Sequence, residues 1–221
     1  MSVLSGIADL FFPPKCVFCG QILKKTGESC LECADELSYT QAGGRREGDC
    51  FDFCVSPLYY EGNARKSMLR YKFRGAVSYA GVYGPILADC IREHIDVDFD
   101  IVSWVPLNDR RKRKRGYDQA MLLAEAAARD MGEAVVRTLT KPHNVKAQSE
   151  IQGRAERRAN IDGAYAPYDS GLVRGKCVLL IDDIITTGST LEECARVLLS
   201  AGAGRVICAT LCTAVRTGDN D

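Results

Sequence analysis

Apolar and polar positions divide the chain into an amino-terminal quarter without a sustained period and a remainder that alternates regularly. Residues 1–12 have the spacing of a short amphipathic helix, stopped by Pro13-Pro14. Residues 14–56 are rich in Cys and Gly and cannot fold on apolar burial alone. From about residue 57 the pattern changes. Tyr79, Tyr83, Ile86, Leu87, Cys90 and Ile91 recur at helical spacing, and residues 101–105 read as a buried strand ended by Pro106. A second helix is predicted over about residues 117–131, with Ala120, Leu123, Ala124, Ala127, Ala128 and Met131 on one face. Residues 135–139 read as a short strand, and the polar, aperiodic residues 141–160 as a long loop. Residues 178–181 form an apolar run of strand length. Leu191, Cys194, Ala195 and Leu198 make the next helical face, ended by Gly202, and residues 206–211 are a last strand.

Strand–helix–strand repeats of this kind imply an α/β fold with a parallel sheet flanked by helices and right-handed crossovers. Ligands in such sheets bind beyond the carboxyl ends of the strands. The expected division is a small module over residues 1–56 and an αβ domain over residues 57–221.

Composition changes this picture in two places. A chain of 221 residues, 46% hydrophobic and 26% charged, can bury one core and carry a small appended module. Its formal net charge of zero excludes a generic polyanion binder, yet residues 110–115 are an unbroken basic block that suggests a local anionic partner. No run approaches the ~18–20 apolar residues of a membrane span. The first residues lack the basic start and small-residue cleavage site of a signal peptide, so a cytoplasmic location is expected.

The second place is cysteine. Six of the eleven lie within residues 14–56, and Cys16-Val-Phe-Cys19 and Cys30-Leu-Glu-Cys33 are two CxxC pairs ten residues apart. Two such knuckles supply a closed tetrahedral thiolate site, which would hold a structural Zn²⁺ at Cys16, Cys19, Cys30 and Cys33. Gly20 lets the backbone curl after the first pair. Two redox dithiols or four buried thiols are the competing explanations. Cys50 and Cys54 form a poorer CxxxC knuckle and are expected as buried thiols, the alternative being a second metal site or a replacement ligand.

Residues 178–190, VLLIDDIITTGST, pose an electrostatic question. The loop after the strand offers hydroxyls, a glycine and the first N–H groups of a helix, all suited to a phosphate. Two carboxylates stand directly before it. A ribose 5-phosphate reconciles the two: the phosphate sits on Thr186, Thr187, Gly188, Ser189 and Thr190, and the 2- and 3-hydroxyls donate to Asp182 and Asp183. A strand–turn–helix with a simple N-cap would need one Ser or Thr and no paired acids.

This stretch resembles the signature of type I phosphoribosyltransferases, which bind phosphoribosyl pyrophosphate (PRPP). The resemblance to the ComF family extends further. It rests on the cysteine knuckle, Tyr71-Lys72-Phe73-Arg74-Gly75, Val105-Pro106-Leu107, Arg115-Gly116-Tyr117-Asp118-Gln119, Gln148, Arg158-Ala159-Asn160 and the acidic signature, in that order. It implies a type I phosphoribosyltransferase fold with an N-terminal zinc-binding module, residues 57–95 serving as a hood. It also implies Mg²⁺-dependent displacement of pyrophosphate from PRPP through an oxocarbenium-like state that Asp182 and Asp183 stabilise. Arg115, in the loop from Pro106 to Gly116, is then the first candidate for pyrophosphate. Lys72 and Arg74, in an exposed turn, and Arg158, in the long loop, are further candidates. Hypoxanthine–guanine enzymes place an aspartate where this chain has Thr186, which disfavours a 6-oxopurine acceptor.

The resemblance supports a second class of function, a non-catalytic competence accessory that keeps the nucleotide pocket and works in DNA uptake. Partners consistent with the resemblance are PRPP, single-stranded DNA or a competence helicase, and a second copy of the chain in a homodimer.

Overall fold

The computed structural model describes residues 13–23, 29–142 and 163–215. The expected amino-terminal helix and almost all of the 141–160 segment, with Gln148 and Arg158, lie outside the described residues.

The centre is β7 (Cys177–Ile185), nine residues flanked in parallel by β4 (Ile101–Trp104) and β8 (Arg205–Thr213). Side chains of a strand alternate between faces, so an unbroken apolar run requires cover on both. Leu179, Ile181, Ile207 and Ala209 face one core with α3 (Ala80–His94) and α5 (Gln119–Met131). Val178, Leu180, Val206 and Cys208 face the other with α7 (Ser189–Ser200). The result is three layers, helices over both faces of a parallel sheet.

β8 has a second neighbour that sequence periodicity did not show. β2 (Phe53–Val55) pairs with it at Cys54↔Cys208, and β3 (Leu58–Tyr59) at Leu58↔Cys212. The interruption falls at Pro57, which has no N–H to give the ladder. Ser56 Oγ and Thr210 Oγ1, both buried and 2.7 Å apart, bridge the gap. β1 (Arg46–Glu47) closes the edge antiparallel to β2. The division expected after residue 56 therefore runs through the sheet edge, between β2 and β3.

On the other edge, Val135 bridges in parallel to Val102, and Leu139–Thr140 form β5, paired antiparallel with β6 (Ala166–Pro167). A short turn, α6 (Ser170–Val173), precedes β7.

Two helices differ from the sequence expectation. α2 (Gly62–Phe73) buries Ala64, Ser67, Met68 and Tyr71 and carries Lys72 at its end, where an exposed turn was expected. The basic block is not loop: α4 (Asp109–Arg115) is helical with no buried residue. Its caps make it so. Asn108 Oδ1 accepts from Arg111 N at 2.8 Å, Gly116 ends it at φ +85°, and cations fill the last turn.

The cysteine module, ending in α1 (Leu31–Glu36), is not a free appendage. Cys16, Val17 and Phe18 are buried in the same core as α2 and α3. Phe18 stacks obliquely on Tyr83 at 6.0 Å, and Arg70 Nη2 donates to the carbonyls of Val17 and Phe18 at 2.8 and 2.7 Å.

Candidate functional site

β7 carries Asp182 and Asp183 near its carboxyl end, and the chain then turns through Thr186 and Thr187 into α7. Gly188 takes the turn at φ +87°, a conformation strained for residues with a Cβ. Thr187 Oγ1 lies 2.9 Å from Ser189 Oγ and receives Ser189 N at 3.4 Å, which holds the hydroxyls together. Asp182 and residues 184–191 line one small cup. Of the residues expected to hold a sugar phosphate, Asp182 and residues 186–190 thus share one cup, and Asp183 does not line it.

The two carboxylates have different surroundings. Asp182 is half-buried and accepts from the backbone N–H of Asp183 at 2.8 Å. Burial first, and then the adjacent Asp183 carboxylate, hold its pKa well above the usual carboxylate range. Asp183 is 3% exposed. Its Oδ1 meets Lys72 Nζ at 2.9 Å, and its buried Oδ2 has no hydrogen-bond partner among the described residues. Burial works against the Lys72 charge, but the facing Asp183 carboxylate outweighs it and raises the amine's pKa.

Lys72 also joins this centre to a larger basic cavity of about 470 Å³, which it lines with Phe73, Gly75, Arg111, Lys114 and Arg115. Of the pyrophosphate candidates, Lys72 and Arg115 therefore face one space. Arg74, exposed at the C-cap of α2, does not line it. Arg158 lies outside the described residues.

Several residues to which the sequence assigned no role build the surroundings. Buried Asp118 caps α5 and accepts from Leu107 N at 3.0 Å, pinning the segment after β4. Lys141 Nζ donates to Tyr165 Oη at 2.7 Å, and both sense the Asp182 charge. Burial, with Arg111 adding to it, holds the Lys141 amine below its ordinary pKa. Buried Glu193 accepts from Gly163 N at 2.8 Å. The Arg115-Gly116-Tyr117-Asp118-Gln119 motif is the signal for Asp118. No local pattern marks Lys141 or Tyr165, which meet only through the β5–β6 pairing.

The metal reading has its own geometry. The four sulfurs of Cys16, Cys19, Cys30 and Cys33 lie within 4.8 Å of one another. A tetrahedral site with Zn–S of about 2.3 Å needs sulfurs about 3.8 Å apart, and Cys19 and Cys30 stand at 3.6 Å. Backbone N–H of Cys30 points to Cys16 Sγ at 3.3 Å and Asn63 Nδ2 to Cys33 Sγ at 3.7 Å, donors suited to thiolates. Gly20 makes the expected curl at φ +83°. The donor set fits structural zinc. Cys54 is fully buried and its thiol is pushed up to about 12 by burial, while Cys50 is half-buried. Neither belongs to the cluster.

Comparison with known proteins agrees with both halves. The phosphoribosyl transferase domain model matches residues 118–221, and the double zinc ribbon domain model matches residues 7–47. "Competence protein ComFC" of Streptococcus pneumoniae (strain ATCC BAA-255 / R6) is 26% identical over 223 residues, spanning 86% of this chain and 95% of that protein. These matches support the resemblance to the ComF family.

A second relative, "DNA utilization protein YhgH" of Salmonella typhi, is 34% identical over 114 residues, 51% of this chain and 49% of its own length. Among solved structures, the allosteric regulatory enzyme of purine biosynthesis aligns with a TM-score of 0.44 at 23% identity, over 63% of this chain and 29% of that one, too loosely to carry an argument. Among the described residues, no helix is long and apolar enough to cross a membrane.

Proposed function

We propose that this chain binds PRPP at the carboxyl end of β7 and transfers its phosphoribosyl group to an acceptor, releasing pyrophosphate. The observation that carries the reading is the Oδ2 of Asp183, which has no hydrogen-bond partner among the described residues. A buried carboxylate oxygen without a donor costs about 1–3 kcal/mol. A sugar hydroxyl would supply the missing donor, while the hydroxyls and amides of residues 186–190 receive the 5-phosphate.

In this reading Asp182 and Asp183 hold the ribose hydroxyls and, as positive charge develops at the anomeric carbon, stabilise it. The C–O bond to pyrophosphate breaks, its electron pair leaves with the pyrophosphate, and the acceptor's lone pair forms the new bond. Lys72 and Arg115 face the cavity where negative charge accumulates. Mg²⁺, when bound, would neutralise pyrophosphate oxygens near Asp182 and Asp183, since it favours carboxylate and phosphate oxygens. The four-cysteine centre has no open position and serves structure.

A second reading, a DNA-uptake accessory that keeps the pocket without turnover, is favoured by α4, whose block of six consecutive cations buries nothing. Calorimetry decides the pocket: Asp182→Asn with Asp183→Asn should weaken Mg²⁺–PRPP binding at least tenfold, and unchanged affinity would sink the assignment. Pyrophosphate release against a panel of bases, amines and single-stranded DNA then separates the readings. Turnover supports transfer, and a flat result across the panel favours the accessory.

A further inference from the structure

The carboxylate that a ribose would need already has a partner within the fold. Lys72, in the last turn of α2, places its Nζ 2.9 Å from Asp183 Oδ1. Both side chains are largely withdrawn from water, at 20% and 5% exposure. Asp182 lines the small cup with residues 184–191, whereas Asp183 does not. One member of the acidic pair therefore opens on the cup and the other is held by an internal cation. Lys72 in turn lines the basic cavity in which the transfer reading gathers negative charge. The same ammonium stands between the two halves of the site. Breaking a buried ion pair from one side only is costly, because it strands the remaining charge. A sugar that took Asp183 alone would leave Lys72 without an anion, and a pyrophosphate that took Lys72 alone would leave Asp183 without a cation. When both arrive, the partners exchange: Lys72 turns to pyrophosphate and Asp183 accepts from the sugar hydroxyls. The flexible four-carbon stem of lysine lets the ammonium swing without moving α2.

We propose that Lys72 is a specificity-determining residue, an internal counter-ion that couples the sugar half of the site to the pyrophosphate half. The proposal rests on the phosphoribosyl-transfer reading and deepens it. PRPP carries both groups on one molecule and completes the exchange in a single binding event. Ribose 5-phosphate and pyrophosphate each carry one group and can complete only half of it. The ion pair thus selects the intact donor against its two hydrolysis products. Coupling between sites is reciprocal, so each half-ligand must raise the affinity of the other by the same factor. A lysine that only touched pyrophosphate would leave the sugar half indifferent to its removal. A lysine that holds Asp183 back would not: without it, the sugar half alone gains.

The test is calorimetry on the full chain at fixed free Mg²⁺, with the two halves of the donor as separate ligands. They are pyrophosphate and 1-deoxyribofuranose 5-phosphate, whose bare C1 leaves room for the pyrophosphate. In the wild type, each half is expected to bind about tenfold more tightly when the other is saturating. Lys72→Met should abolish that coupling and let the sugar half, titrated alone, bind several-fold more tightly than it does to the wild type. Asp183→Asn keeps the shape of the side chain and releases Lys72 from the other side. It should also abolish the coupling, and pyrophosphate alone should then bind several-fold more tightly. Should Lys72→Met fail to fold, Asp183→Asn decides. Halves that bind the wild type without coupling, or a Lys72→Met that weakens pyrophosphate and leaves the sugar half unchanged, would overturn the proposal while the transfer reading stands. PRPP is titrated in the same series; if it too fails to bind, the transfer reading falls and takes the coupling with it.

Discussion

Asp182 sits where folding and binding pull in opposite directions. Its pKa is raised by burial and by Asp183, so the folded protein holds its proton more tightly than the unfolded chain does. Where the native state binds more protons than the unfolded one, stability falls as pH rises. The penalty is absent below the unfolded value of about 3.9 and grows through the window up to the raised native pKa. Asp182→Asn should therefore raise the melting temperature at neutral pH while weakening PRPP binding, and the gain should shrink steadily as pH falls toward 4. Thermal melts from pH 4 to 8 check this; a gain independent of pH would mean that ionisation of Asp182 does not strain the fold. Lys72 shows the complementary lesson. Its type and position make it a site candidate in the sequence, but its partner, 111 residues away on β7, depends on how α2 lies across the sheet.

At the scale of elements, patterns that follow from burial were legible and patterns that follow from caps or distant pairing were not. β4, β7, β8, α3, α5 and α7 are covered by other layers, so their apolar positions repeat at the strand or helix period. α4 has no apolar face to repeat; only Asn108 and Gly116 mark its ends. β2 and β3 are too short for a period, and their partner β8 is some 150 residues away in sequence. The α3–α5 contact, legible as two apolar faces, has a close point that no period reveals. A Cβ built at Gly84 would come within 2.5 Å of Ala126 Cβ and 2.6 Å of the Ala126 carbonyl carbon. Gly84→Ala should thus destabilise by about 1–3 kcal/mol through overpacking, despite the ~1 kcal/mol that alanine ordinarily adds in a helix. Gly81, in the same helix, has nothing within 4 Å of such a Cβ, so Gly81→Ala should be neutral or stabilising by up to ~1 kcal/mol. Urea unfolding of the two variants reads the contrast directly, and equal effects would place the close contact elsewhere.

At the scale of the molecule, the cysteine module and the phosphate loop are tied to the same helix. Near its start, α2 offers Asn63 to Cys33 Sγ at 3.7 Å; in its last turn, Arg70 holds the carbonyls of Val17 and Phe18, and Lys72 meets Asp183. Tyr71 Oη adds a 2.8 Å bond to the Gln119 carbonyl, fixing α2 to the start of α5. A helix held at both ends transmits the loss of either. Without the four-cysteine centre, the backbone around Val17 and Phe18 has too little core of its own to stay folded, because zinc modules draw their folding energy from the metal. Cys16→Ser with Cys33→Ser should release about one zinc per chain and unseat Phe18. Losing that buried ring costs roughly 3 kcal/mol or more, which at ~2–4 °C per kcal/mol lowers the melting temperature by about 6–12 °C. Because Arg70 then loses its acceptors, the disturbance should reach Lys72. Hydrogen exchange across residues 62–73 should rise and PRPP affinity should fall, although no cysteine lies in the cup. If zinc leaves, the module melts and exchange in α2 stays unchanged, the cysteine centre supports only its own segment and α2 is held by the sheet alone.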